Sequence, residues 1–204
     1  MLHDSAAVRA AFERGSATLL TTLRNVQPEQ WDRPGALGDW TVRELAAHTL
    51  RAFVTIDGYL SAPPANDRVI VDTTEYYLTV LADPSLHQGV ASRGRQAGRQ
   101  LIDPVGEAET TIAQVLALVA STADDEPVHT FAGTITLIEY LGTRVVELGV
   151  HTLDLQRATG QPIELHTDTS AVVLDVLVQL APPERLILAL SGRTALAADF
   201  NVLG

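Results

Sequence analysis

Between Leu137 and Leu155 the chain is apolar in almost every helical direction, with Leu137, Ile138, Leu141, Val145, Val146, Leu148, Val150, Leu153 and Leu155 all contributing. A helix that is hydrophobic all round belongs in a core. Glu147 and His151 interrupt it. Four residues apart, they project from the same face about one turn from each other. An ionised carboxylate left alone in such surroundings costs on the order of several kcal/mol unless a cation, a proton or strong hydrogen bonds compensate it. The expectation is that a divalent metal compensates Glu147, and that His48, distant in sequence, completes the set with Glu147 and His151.

The remaining sequence supplies helices to pack around that one. Asp4 or Ser5 can cap a helix through Val8, Phe12, Leu19 and Leu23 that stops near Asn25. A loop rich in Pro and Gly follows from Gln27 to Asp39. Thr41 and Glu44 then form a capping box opening a helix through Leu45, His48, Phe53 and Ile56 to about Leu60. Asp72 or Thr73 begins a short helix through Tyr76 and Tyr77. From Ser85 to Ser121 the pattern is again helical, interrupted by glycines and Pro104. Val128 to Thr134 reads as an extended or turn segment. Thr136 and Glu139 repeat the capping-box signature before the pivotal helix, which closes at Gly160. Two further amphipathic segments, from Asp168 or Thr169 to Pro182 and around Leu186–Leu190, complete the chain. No run of strict alternation demands a sheet, and the fold class expected is all-α.

Composition narrows the chemistry. Net charge is −11, from 25 acids against 14 bases, all of them Arg. That balance argues against nucleic acid or an anionic membrane as partner. The absence of Cys excludes disulfides and thiolate ligands, so any thiol chemistry needs a thiol from outside. No run reaches the ~18 apolar residues of a membrane span. Met1–Ser5 lacks the basic start of a signal peptide, and the expected location is cytoplasmic.

Of six histidines, only His48 and His151 fall inside apolar helices. Antiparallel packing of their helices lets His48 face Glu147 and His151, and bundle cores hold metals in this way. Two nitrogens and one carboxylate form a first-row metal set, with Zn²⁺ the commonest occupant. Three protein ligands leave coordination positions open, so the chemistry is assigned to the open metal position and no separate catalytic residue is named. Glu44, one turn before His48, is assigned to capping or to a supporting role. Asp154, one turn after His151, is placed to hold the other ring nitrogen of that histidine. Arg144, Arg95 and Arg99 are the candidates for an anionic group of a ligand. Arg93, Arg95 and Arg99 together otherwise read as a solvated face.

The segments Trp40–His48 and Arg144–Leu155, in this order and separation, resemble the two motifs of the mycothiol-dependent maleylpyruvate isomerase family, within the DinB-like four-helix-bundle superfamily. The Trp31–Pro34 loop and Leu190–Arg193 are also similar. The resemblance implies an all-α, DinB-like four-helix bundle over about residues 5–160 with short additional C-terminal helices over 161–204, in a single metal-binding domain, and a divalent metal, usually zinc, on His48, Glu147 and His151. It further implies mycothiol or a similar thiol as cosubstrate, and S-transfer to or cis–trans isomerisation of an electrophilic small molecule. A homodimer is left open by the sequence. Asp39 and Leu153 depart from the family pattern. The 204 residues end soon after Arg193, so the isomerase's separate C-terminal domain is not expected within them, which argues against maleylpyruvate itself as substrate. Metal-dependent hydrolysis, Fe(II) and O₂ chemistry, and a non-catalytic metal- or small-molecule-binding bundle are the competing readings.

Overall fold

The computed structural model describes residues 4–83, 96–98 and 100–203. Its first helix, α1, spans Ser5–Arg24 and begins where the Asp4 side chain accepts the Ala7 N–H at 2.7 Å. A 3₁₀ turn over Pro28–Gln30 leads into a small hairpin of β1 (Pro34–Leu37) and β2 (Trp40–Thr41). Strand β1 and the turn lie inside the expected Gln27–Asp39 loop, and β2 follows directly after it. Gly38 makes the hairpin possible by adopting φ 58° at the turn, a conformation disfavoured for residues with a Cβ.

Helix α2 spans Val42–Leu60 and opens with the expected box: Glu44 N–H donates to Thr41 Oγ1, and Thr41 N–H donates to Glu44 Oε2. Helix α3 (Thr73–Leu81) is capped by Asp72. Helix α4 covers Pro104–Ser121 with Pro104 in its first turn. The proline therefore starts a helix instead of interrupting one, because its missing N–H lies among donors that have no intrahelical partner there. Residues 96–98 are helical, and the rest of the expected Ser85–Pro104 pattern falls largely outside the described residues.

Strands β3 (Pro127–His129) and β4 (Thr134–Thr136) form a second hairpin, to which residues 68–70 add backbone bonds at Thr134. Helix α5 runs from Leu137 to Thr159 and closes at Gly160 with φ 72°. Helices α6 (Thr167–Leu180) and α7 (Pro183–Leu190) follow. His166, read as a loop residue, caps α6 by accepting the Asp168 N–H.

The expected all-α four-helix bundle is present. Helices α1, α5, α2 and α4 pack as a closed ring. Arg9 reaches Asp124 while Arg24 reaches Glu109, so α1 and α4 are antiparallel. Phe12, Leu19, Leu45, Phe53, Tyr140, Leu141 and Leu148 fill the interior. Burial of such side chains contributes roughly 1.5–3 kcal/mol each. Helix α6 packs on α1 and α5 from outside the ring. It comes close because Gly15 has no Cβ; an added one would lie 2.9 Å from Leu148 Cδ2 and 3.2 Å from Thr169 Cγ2.

One expected cap is replaced. Thr136 caps α5 without a side-chain hydrogen bond, and Glu139 turns away to accept the Thr73 N–H at 3.0 Å and the Thr73 hydroxyl at 2.9 Å. The first turn of α3 competes successfully for that carboxylate, since a helix start offers several unpaired donors and favours negative charge. Glu139 thereby ties α3 to α5. Glu139→Ala should lower stability in urea unfolding by about 1–3 kcal/mol, the cost of leaving charge-assisted donors unpaired.

Candidate metal centre

Helices α2 and α5 place their polar interruptions opposite each other. His48 Nε2 lies 4.0 Å from Glu147 Oε2, and His151 Nε2 lies 3.5 Å from the same oxygen. The two imidazoles meet edge to face, with centroids 4.9 Å apart. One ligand atom from each of His48, Glu147 and His151 falls within 4.8 Å of the others. Further along, Tyr140 OH donates to Thr55 Oγ1, which fixes the antiparallel register of the pair.

The electrostatics follow from that packing. Burial opposes ionisation of Glu147, but the hydrogen bond from His151 and the charges of Arg144, His151 and His48 outweigh it and hold the carboxyl down at about 2. Burial likewise opposes protonation of His151. The carboxylates of Asp154 and Glu147 overcome it and raise that imidazole to about 9. His48 goes the other way, down to about 4, through burial and then the positive charge of His151. The carboxylate is thus ionised near neutral pH, and one imidazole is neutral beside a charged one.

Asp154 stands where the sequence put it. Its Oδ2 lies 3.4 Å from His151 Nδ1, and its Oδ1 accepts from Arg157 at 2.8 Å. A carboxylate can only accept, so the Nδ1 proton points to Asp154 and Nε2 faces the cluster. Glu44 is spent on its cap and is not part of the cluster. Arg144 is near the cluster, its guanidinium over the Tyr140 ring at 4.6 Å. Arg95 and Arg99 lie outside the described residues. His129 bonds Thr134 Oγ1 in the second hairpin.

Three more neighbours complete the surroundings: Trp40, which opens the first family motif, and Tyr77 and Arg51, which were not legible in the sequence. Tyr77, brought in by α3, donates its hydroxyl to Thr143 O at 3.1 Å and lies 3.5 Å from Glu147 Oε1. Trp40 sets its indole edge-on to His48, centroids 5.0 Å apart. Arg51, one turn after His48, adds positive charge near that ring. The Tyr-Tyr pair and the capping box marked their helices, but nothing in either pattern pointed to position 147.

Do these residues fit a divalent ion? The His48 ring is nearly buried, its Nδ1 has no hydrogen-bond partner, and its Nε2 is beyond hydrogen-bond range of Glu147. A buried imidazole with both nitrogens unused is costly unless a partner binds there. Ligands about 2 Å from a tetrahedral ion stand roughly 3.3 Å apart, close to the 3.5 and 4.0 Å separations here. The donor set and spacing fit. Glu147 keeps 30% of its side chain exposed, so the cluster opens to solvent on one side.

A family model described as the mycothiol maleylpyruvate isomerase N-terminal domain matches residues 12–156. The chain belongs to this family. The matched span holds all three clustered residues, the whole of α2 and α4 and most of α1 and α5, whereas α6 and α7 lie beyond it. No curated protein and no solved structure matches the chain. No helix of the described residues is long and apolar enough to cross a membrane.

In NMR titration of metal-free protein, His151 should titrate near pH 9 and His48 near pH 4. Glu147→Gln should bring His151 down, since burial remains while one of its two carboxylates is lost.

Proposed function

We propose that this family member is a divalent-metal-dependent enzyme that activates a low-molecular-weight thiol of the mycothiol kind, for transfer to, or cis–trans isomerisation of, an electrophilic small molecule. The observation carrying this reading is the gathering of His48, Glu147 and His151 from two distant helices, ligand atoms within 4.8 Å, in a chain of this family. His48, Glu147 and His151 would hold the ion, with Zn²⁺ the best match to the donors. When bound, such an ion supplies a nucleophile near neutral pH by acidifying a thiol or a water.

The chain's own residues do the positioning. Asp154 would keep the remaining proton of His151 on Nδ1 once an ion displaced the other, leaving Nε2 to face the cluster. Tyr77 sets its hydroxyl 3.5 Å from the second oxygen of Glu147, and Trp40 confines His48 against rotation. The open side at Glu147 is the route by which thiol and electrophile arrive. With no Cys in the chain, no internal thiol competes for the ion.

Purified protein should carry close to one divalent metal per chain by mass spectrometry. His151→Ala should abolish that content, while His166→Ala and Glu44→Gln should leave it near normal. Apparent zinc affinity, read by chelator competition, should rise about tenfold per pH unit from 6 to 8. His151 is protonated below about 9 in metal-free protein, and the ion must displace that proton. A flat profile would mean that His151 is not a ligand.

With mycothiol and a model electrophile, zinc-loaded protein should consume thiol and the His151→Ala variant should not. Cleavage of an ester or amide without thiol would move the assignment to metal-assisted hydrolysis. Metal content without either activity would leave a binding protein.

A further inference from the structure

Among the described residues, Arg9, Arg43, Arg51 and Arg144 are the half-buried arginines. Arg9 pairs with Asp124 at 2.6 Å and Arg43 with Asp32 at 3.0 Å. Arg51 and Arg144 have no ion pair among the described residues. Arg144 donates from Nε to Thr143 Oγ1 at 2.9 Å, and its two terminal nitrogens have no hydrogen bond among the described residues. In a chain with 25 acids, two sheltered guanidinium groups with no carboxylate in ion-pair contact among the described residues depart from the pattern set by Arg9 and Arg43, although Glu147 is near enough to act on Arg144.

The register of the helices brings the two to one level. His48 faces Glu147 at one rung of the α2–α5 pair, and Thr55 faces Tyr140 at another. Arg51 follows His48 by three residues and Arg144 precedes Glu147 by three. Because the helices are antiparallel, both lie on the same side of the cluster, about one turn or roughly 5 Å along the axis. Both act on the same imidazole, His48. Tyr76 stands beside this level against Tyr140, ring centroids 5.9 Å apart, and its hydroxyl has no hydrogen bond among the described residues.

We propose that Arg51 and Arg144 form an anion cradle, one helical turn from the His48–Glu147–His151 cluster, that receives the carboxylate of a small-molecule ligand. The planar fork of a guanidinium matches a carboxylate in a way that a point charge does not. The two guanidinium groups outnumber the Glu147 carboxylate, so this level carries excess positive charge for an anion to neutralise, and the fork geometry suits a carboxylate bound bidentately. Tyr76 can donate its hydroxyl to the same oxygens. The cradle stands with or without a metal. Only its role in placing a carboxylate roughly 5 Å from a reacting centre rests on the function proposed above. Mycothiol itself carries no carboxylate, so the carboxylate belongs to the electrophile, or to the thiol where a carboxylate-bearing thiol takes mycothiol's place.

Propionate is the probe, titrated by NMR into the full chain after chelator treatment and again after zinc loading. Binding should be on the order of millimolar in both forms, as befits a small fragment. Arg51→Gln and Arg144→Gln should each weaken it about tenfold or more, and Arg14→Gln, on the surface, should not. In the zinc-loaded form, 3-mercaptopropionate and its methyl ester separate the sources. An ester bound at least tenfold more weakly than the acid assigns the cradle to the thiol; equal binding, with propionate still accommodated alongside, assigns it to the electrophile. Circular dichroism reports folding. If Arg144→Gln does not fold, Arg51→Gln and Arg144→Lys carry the comparison. Absence of propionate binding in both forms, or binding that these variants leave unchanged, overturns the cradle. Zinc content is measured separately: a chain that takes no zinc yet binds propionate through both arginines sinks the metal reading and leaves the cradle standing.

Discussion

The carboxylate of Glu147 is held ionised between two apolar helices, and the neighbouring contacts answer to that charge. Burial alone would push its proton affinity up; the cations gathered around it reverse the sign and leave it near 2. The charged His151 approaches on the same helix and Arg144 comes from the preceding turn of α5, while His48 approaches from the facing helix as a neutral imidazole. Removing this charge would leave the cations without the group that makes their partial burial tolerable. Breaking a buried pair costs more than never having made it, so such a cluster ties α2 and α5 to one register.

That register is what makes the site readable in part from sequence. Glu147 and His151 could be found because their spacing is local and their surroundings are visibly apolar. His48 could be found because it shares that character on a helix of its own, and Asp154 because helical spacing puts it over the ring of His151. Local rules also located Asp4, Thr41 with Glu44, Asp72 and Gly160 at helix ends. What failed was choice between partners. Glu139 fits a capping box as well as it fits Thr73, and only the docking of α3 decides. Pro104 reads equally as a break or a beginning until Asp103 is seen accepting the Gly106 N–H. Tyr77 and Arg51 were hidden for a related reason. Their function lies in a contact across helices, and no periodicity within one segment records what stands opposite.

The division of labour among the helices follows from the same geometry. Helices α2 and α5 supply the charged groups, so their spacing must be rigid. Helix α3, tied down through Glu139, sets Tyr76 against Tyr140 of α5, and the two make a wall of tyrosines. Burial raises the hydroxyl pKa of Tyr76 well above the ordinary value and that of Tyr140 to about 12, so the wall stays neutral and can only donate or accept hydrogen bonds. A neutral wall beside Arg144 leaves that charge unspent, whereas an acidic one would have consumed it.

Helix α6 lies beyond the family match yet bears on the same arrangement. Thr169 donates its hydroxyl to the Ala11 carbonyl, inside α1, and Val173 sits where a Cβ on Gly149 would fall, at 2.7 Å. Gly149 is midway between Glu147 and His151. A larger residue there would push α5 toward α2 or twist it, and a shift of even 1 Å exceeds the difference between the 3.5 and 4.0 Å separations in the cluster. The back of α5 must therefore be as closely packed as its front is polar. The missing side chain at position 149 works with the charged one at position 147, because the precision of the site is set from behind it.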